Sequence, residues 1–97
     1  MERLRFTPEA RLDILDARSW YEERAPGLGM EFARAVDVAA SAILRFPQAF
    51  PEVHAPIRKA VMRRFPYALL FVSEEEQIVV VGCFHQRRDP QSWVLRS

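Results

Sequence analysis

The sequence predicts an α+β domain in the order β-α-α-β-β-β, a helical hairpin packed on one face of a mostly antiparallel sheet. Three observations predict it. Two apolar runs, Tyr67 to Val72 and Ile78 to His85, are rich in Val, Ile, Phe and Tyr, whose branched or flat side chains suit a pleated surface. Between them Ser73 to Gln77 is too polar and charged to lie inside a sheet, so the two runs form an antiparallel hairpin. Upstream, two segments with helical periodicity are separated only by Ala25-Pro26-Gly27, a break short enough to return the second helix antiparallel to the first.

Taken in order, Glu2 to Phe6 alternates Leu4 and Phe6 with Arg3 and Arg5, the period of a strand with one face buried. Thr7-Pro8-Glu9 is a helix start: Thr as N-cap, Pro where its missing N–H costs nothing, and an acid at the positive end of the dipole. The first helix should run from Pro8 to about Arg24, with Ala10, Ile14, Ala17 and Tyr21 on its inner stripe. Leu15 and Trp20 widen or leave that stripe, and Asp13, Asp16, Arg18, Glu22, Glu23 and Arg24 take the wet side. The second helix, Leu28 to Phe46, carries Leu28, Phe32, Ala35, Val36, Ala39, Ile43 and Phe46 on one face, and its central alanines predict a close approach to another element.

Pro47, Pro51 and Pro56 make the stretch to Pro56 an irregular, extended connection. Ile57 to Arg64 resumes a strand, with Ala60 and Met62 on one face and Ile57, Val61 and, at its end, Phe65 on the other. The two strands that follow do not alternate cleanly, which marks them as inner strands. Asp89-Pro90 then opens a short C-terminal helical turn ending near Trp93.

Ninety-seven residues bury one core, so residues 1–97 are expected to form a single domain. No apolar run reaches the ~18 to 20 residues that span a bilayer. The charge-punctuated start Met1-Glu-Arg-Leu-Arg lacks the apolar region of a secretion signal, so a cytoplasmic protein without membrane attachment is expected. The single cysteine, Cys83, excludes an internal disulfide, and two histidines make a poor zinc site, so no metal or cofactor is expected. Gly82 and Phe84 place Cys83 in a buried strand as a small hydrophobe rather than a reactive thiol. Charge is uneven: residues 1–56 carry −2 and residues 57–97 carry +3. Thirteen of the fourteen basic residues are Arg, whose planar fork suits phosphate and carboxylate.

A succession of short motifs then points to a family. F-x-P-E-A at 6–10, W-Y-E at 20–22, P-G-L-G at 26–29, F-P at 50–51, R-R-F-P-Y at 63–67 and H-Q-R-R-D-P-x-x-W at 85–93 resemble, in order and over nearly the whole chain, the RelE/ParE superfamily of toxins of bacterial type II toxin-antitoxin modules. The resemblance implies a growth-arresting toxin neutralised by an antitoxin whose C-terminal segment wraps it. RelE-like members cleave mRNA on the ribosome, which asks for cations around a crowded phosphate and an acid/base pair. ParE-like members inhibit DNA gyrase and need no such set.

Against the nuclease pattern, Ala68 follows Tyr67 where an Arg is usual, and Trp93 replaces the C-terminal Tyr or His with a group that is no acid near neutral pH. Lys59 and Arg87 match basic positions of that branch, and His85 could supply part of what is missing. The gaps favour a non-catalytic gyrase inhibitor. The alternatives are a ribosome-dependent endoribonuclease using His85, Arg87 and Lys59, and a non-toxic module that only binds an antitoxin.

Each candidate residue also has a purely structural reading. His85 is either a general acid or base or a ring that bonds a backbone carbonyl and so pins the tail. Arg58, Arg63, Arg64, Arg87, Arg88 and Trp93 form the candidate surface for target or antitoxin. Strand-edge cations, Lys59 included, also prevent edge-to-edge aggregation, and their complement is equally an acidic antitoxin tail or nucleic acid. Trp93 and Trp20-Tyr21 read mainly as core-covering aromatics, Asp89 as a helix cap, and Glu74 to Glu76 as a solvated turn.

Overall fold

Thr7 and Pro8 start the first helix as their chemistry requires. In the computed structural model, which describes residues 3–87, β1 (Arg3–Phe6) leads into α1 (Pro8–Arg24). Thr7 Oγ1 accepts the Ala10 amide at 3.1 Å, a cap worth about 1 kcal/mol. Ala10 and Ala17 are buried beneath α1, with Ile14 and Tyr21 packed against the same core. The C-terminal helical turn and the roles expected of Arg88, Asp89 and Trp93 lie outside the described residues.

After Ala25-Pro26-Gly27 the chain re-enters as α2 (Leu28–Arg45). Gly27 takes the left-handed conformation at φ 90°, which glycine adopts without steric cost. Phe32, Val36 and Ile43 are buried from the α2 face. Phe46 departs from the expected stripe: the helix stops at Arg45, and Phe46 turns outward at φ −140° with 64% of its surface exposed.

The proline-rich connection is more ordered than its sequence suggests. It holds a 3-10 turn (Pro47–Ala49) and a short strand, β2 (Glu52–His54), which pairs with β3 (Ile57–Val61). Three prolines conceal this because they remove amide donors, yet an edge strand needs donors on one side only. β3 also ends earlier than expected, at Val61, and Phe65 joins Ala60 and Met62 in the helix-facing core rather than Ile57.

β4 (Tyr67–Glu74) and β5 (Gln77–His85) close the sheet, whose order is β1-β5-β4-β3-β2. β4 and β5 are inner strands, all neighbours are antiparallel except β1 with β5, and both helices pack on one face. That face carries Leu69, Phe71, Ile78, Val80 and Cys83; the other carries Ile57, Leu70, Val79, Val81 and Phe84. A register shift at Leu70/Phe71 lets Val80 and Cys83, an odd number of residues apart, share the helix-side core.

Candidate functional site

Residues at the end of the sheet where β4 begins and β5 finishes are set by the pairing of those strands. Tyr67 lies opposite His85, with ring centroids 5.3 Å apart in an edge-to-face arrangement. Tyr21 reaches this corner from α1, stacking on Phe32 at 5.4 Å and meeting Phe65 edge-on at 4.8 Å, so it joins helix to sheet as expected. Burial raises the Tyr21 phenol above its usual pKa. Trp20 behaves differently: half of it is in solvent, where the Arg24 guanidinium lies 3.8 Å from its ring centroid.

His85 is engaged by the backbone. Its Nδ1 accepts the Arg87 amide at 3.1 Å, which fixes the ring over the start of the tail. Gln86 adds a second tie, donating its amide to the Pro66 carbonyl at 2.8 Å. The ring thus bonds backbone, but it accepts an amide where a bond to a carbonyl was expected.

The expected cations are dispersed. Arg58 donates to the Phe50 carbonyl and to Gln48 Oε1, holding the turn before β2 against β3. Arg64 pairs with Glu31 at the start of α2. Lys59 lies opposite Leu70 and Ala60 opposite Leu69. Because successive strand residues point to opposite faces, Lys59 shares the Leu70 face while His85 and Tyr67 share the helix-side face with Leu69. His85 and Lys59 are thus on opposite sides of the sheet. Arg63 and Arg87 are exposed.

Two concavities flank this corner. A groove of about 460 Å³ runs between α2 and β3, lined by Ala35, Ala39, Ala42, Val61 and Met62, with Arg63 and Arg64 beside it. Ala35 and Ala39 pack against the core as expected, and with Ala42 they also line this groove. Val38 and Val61 on its walls are 62% and 55% exposed. The second concavity, a cleft beside α1, contains His85, Tyr67 and Trp20 together with Asp13 and Asp16.

Asp16 is exposed, as its place on the wet side of α1 predicted; what sequence reading missed is the half-buried Asp13. The pairing of β1 with β5 ends at Phe6 and Val80, so among the described residues no strand flanks β5 on that side beyond it. Asp13 Oδ2 accepts the Cys83 amide there at 3.1 Å. The signal in the sequence is the spacing of Asp13, Asp16 and Trp20, which places all three on one helix face. Burial, reinforced by the Asp13 carboxylate, pushes the Cys83 thiol up to about 12.

Among the described residues, no group of three or more His, Cys, Asp or Glu side chains is placed to hold a metal, and no helix is long and apolar enough to cross a membrane.

A helical hairpin on one side of this five-stranded sheet has a counterpart among solved structures. A solved structure described as the chromosomal ParDE TA system from P. aeruginosa superposes with a TM-score of 0.65 at 16% identity, covering 88% of this chain and 96% of that one. The sequence profile of the ParE toxin of the type II toxin-antitoxin system parDE matches residues 4–90, and the chain belongs to that family. Comparison with curated proteins gives no match.

Proposed function

We propose that this toxin arrests growth by inhibiting DNA gyrase in the cytoplasm, and that a cognate antitoxin neutralises it by seating a segment in the groove between α2 and β3. What supports a non-nucleolytic action is the placement of Lys59 and His85 on opposite faces of the sheet, which leaves the candidate set His85, Arg87 and Lys59 unable to surround one phosphate. Gyrase inhibition needs a binding surface, and exposed Arg87 and Arg63 are the described cations that suit one. Arg88 and Trp93 are proposed for the same surface from their place in the sequence.

The antitoxin seat is supported by its chemistry. Its walls are small and apolar, while Arg63 and Arg64 at one end match an apolar segment carrying acidic residues.

Adding the purified protein to a gyrase supercoiling reaction tests the reading. Inhibition that is relieved by antitoxin is expected, with SOS induction in cells. Codon-phased cuts in cellular mRNA, seen by primer extension while gyrase stays active, would instead identify a ribosome-dependent endoribonuclease. Normal growth at high expression without antitoxin would leave only a non-toxic binding module.

A further inference from the structure

A proline decides where β2 stops covering β3. Lys59 donates its amide to the Pro51 carbonyl at 3.0 Å, but Pro51 has no N–H to return to the Lys59 carbonyl. Ahead of Pro51 the chain turns into Pro47–Ala49, while β3 runs on to Val61. Successive strand residues aim their backbone groups to alternate sides. The Met62 amide donates to the Tyr67 carbonyl at 2.9 Å, toward β4, so the Val61 N–H and C=O point outward, as the Lys59 amide does. Among the described residues neither Val61 group has a backbone partner. Ala60, Val61 and Met62 also line the groove under α2, so an open strand edge lies beside an apolar trough.

The flanking charges decide what can pair there. Lys59 stands two residues before Val61 and Arg63 two after. A second copy pairing antiparallel about Val61 would set Lys59 opposite Arg63 at both ends, like charge against like. An acidic residue opposite Val61 instead has Lys59 as its diagonal neighbour on the same face. The residues on either side of it point to the face of Ala60 and Met62, where Ala35 and Ala39 leave room for apolar side chains.

We propose that the antitoxin segment binds as an added β-strand on the outer edge of β3, with an acidic residue opposite Val61 between two apolar residues that enter the groove. The acidic residue's own amide donates to the Val61 carbonyl, and its carbonyl accepts the Val61 amide. Backbone bonds supply affinity and the alternating side chains supply specificity. The inference rests on the groove being the antitoxin's seat, and it adds the conformation and the apolar-acidic-apolar pattern of the occupant.

The test is a titration of the isotopically labelled full chain with acetyl-Thr-Val-Glu-Val-Thr-amide, read by NMR. The Val61 amide should shift saturably, and its hydrogen exchange should slow at least about ten-fold at saturation. A control peptide with N-methylglutamate keeps the charge and the side chains but removes the donor to Val61, and it should bind at least about five-fold more weakly. Lysine in place of the glutamate, and Lys59→Gln with the parent peptide, should each lose at least about two-fold. Lys59 serves the sheet through its backbone, so K59Q should keep the remaining amide spectrum. Equal affinity of the N-methyl peptide, no saturation, or protection of Val61 that grows with protein concentration alone, the mark of a second copy, would overturn the proposal. So would an antitoxin that shifts the Val38 and Ala39 amides yet leaves Val61 unprotected, in which case the groove remains the seat and only the added strand falls. An antitoxin that moves none of these amides would remove the seat itself, and the strand with it.

Discussion

The Gly29 amide donates to Glu22 Oε1 at 2.9 Å, and the same carboxylate accepts the Gly27 amide at 3.0 Å through its other oxygen. Glu22, in the last turn of α1, therefore caps α2, whose own N-cap residue Gly27 has no side chain to do so. Both free amides and the positive end of the α2 dipole favour the ionised form. The P-G-L-G motif follows from this contact. A Cβ on Gly29 would come within 2.9 Å of the Arg18 carbonyl and of Glu22 Oε1, so only glycine lets the helices close here.

Glu22→Gln should flatten the acid limb of the stability curve. The Gly27 and Gly29 amides, in that order of effect, hold the Glu22 pKa below its ordinary value. A lowered folded-state pKa means that the unfolded chain binds the proton more readily, so this contribution is present above the ordinary carboxylate range and is lost as pH falls through the folded-state value. Thermal melts from neutral pH down to about pH 3 check this, the window lying at and below the ordinary glutamate pKa of about 4.3. The variant should lose less stability on acidification than the parent.

Phe32→Ala should destabilise the domain by about 3–5 kcal/mol. The ring is fully buried, with Tyr21 stacked against it and both Phe65 and Tyr67 edge-on at 5.2 Å. Removing it leaves a cavity that three aromatic neighbours cannot fill by small shifts. The urea midpoint of unfolding is the measurement.

Cys83 should resist alkylation. With its thiol pushed up to about 12 by burial and by Asp13, almost no thiolate exists at pH 8. Iodoacetamide should label the protein in denaturant and not under native conditions, as mass spectrometry would show. Rapid native labelling would contradict the buried placement.

Arg87→Ala and Val38→Glu should separate two surfaces. The first should relieve growth arrest while leaving antitoxin binding intact, because Arg87 belongs to the proposed gyrase-binding surface. The second places a carboxylate in the apolar groove at an exposed helix position, so it should weaken antitoxin binding at least about ten-fold and leave toxicity unchanged. Growth assays with antitoxin under separate control, together with calorimetry, read both effects.

The order and type of the elements were legible because their signals are local. Thr7-Pro8 starts a helix by its own chemistry, Pro26-Gly27 breaks one, and the apolar runs on either side of Glu74 to Glu76 leave only a buried hairpin. β2 was concealed because its pairing depends on β3, and no residue within Glu52–His54 announces that partner. The surface cations were visible as types but not as an arrangement. Whether Arg58 reaches outward or to the Phe50 carbonyl depends on where the preceding turn folds back.

What the chain alone determined was the α+β class, the limits of α1 and the start of α2, the inner position of β4 and β5, and the motifs that carry the family. Tertiary structure decided which charged groups meet. The strand alternation put Lys59 and His85 on opposite faces, and the packing of α1 on β5 brought Asp13 to the Cys83 amide. The physical reason is one of range. Propensities and caps act within a few residues, whereas the face a side chain occupies, and the donor it finds there, follow from register and from packing across the sheet.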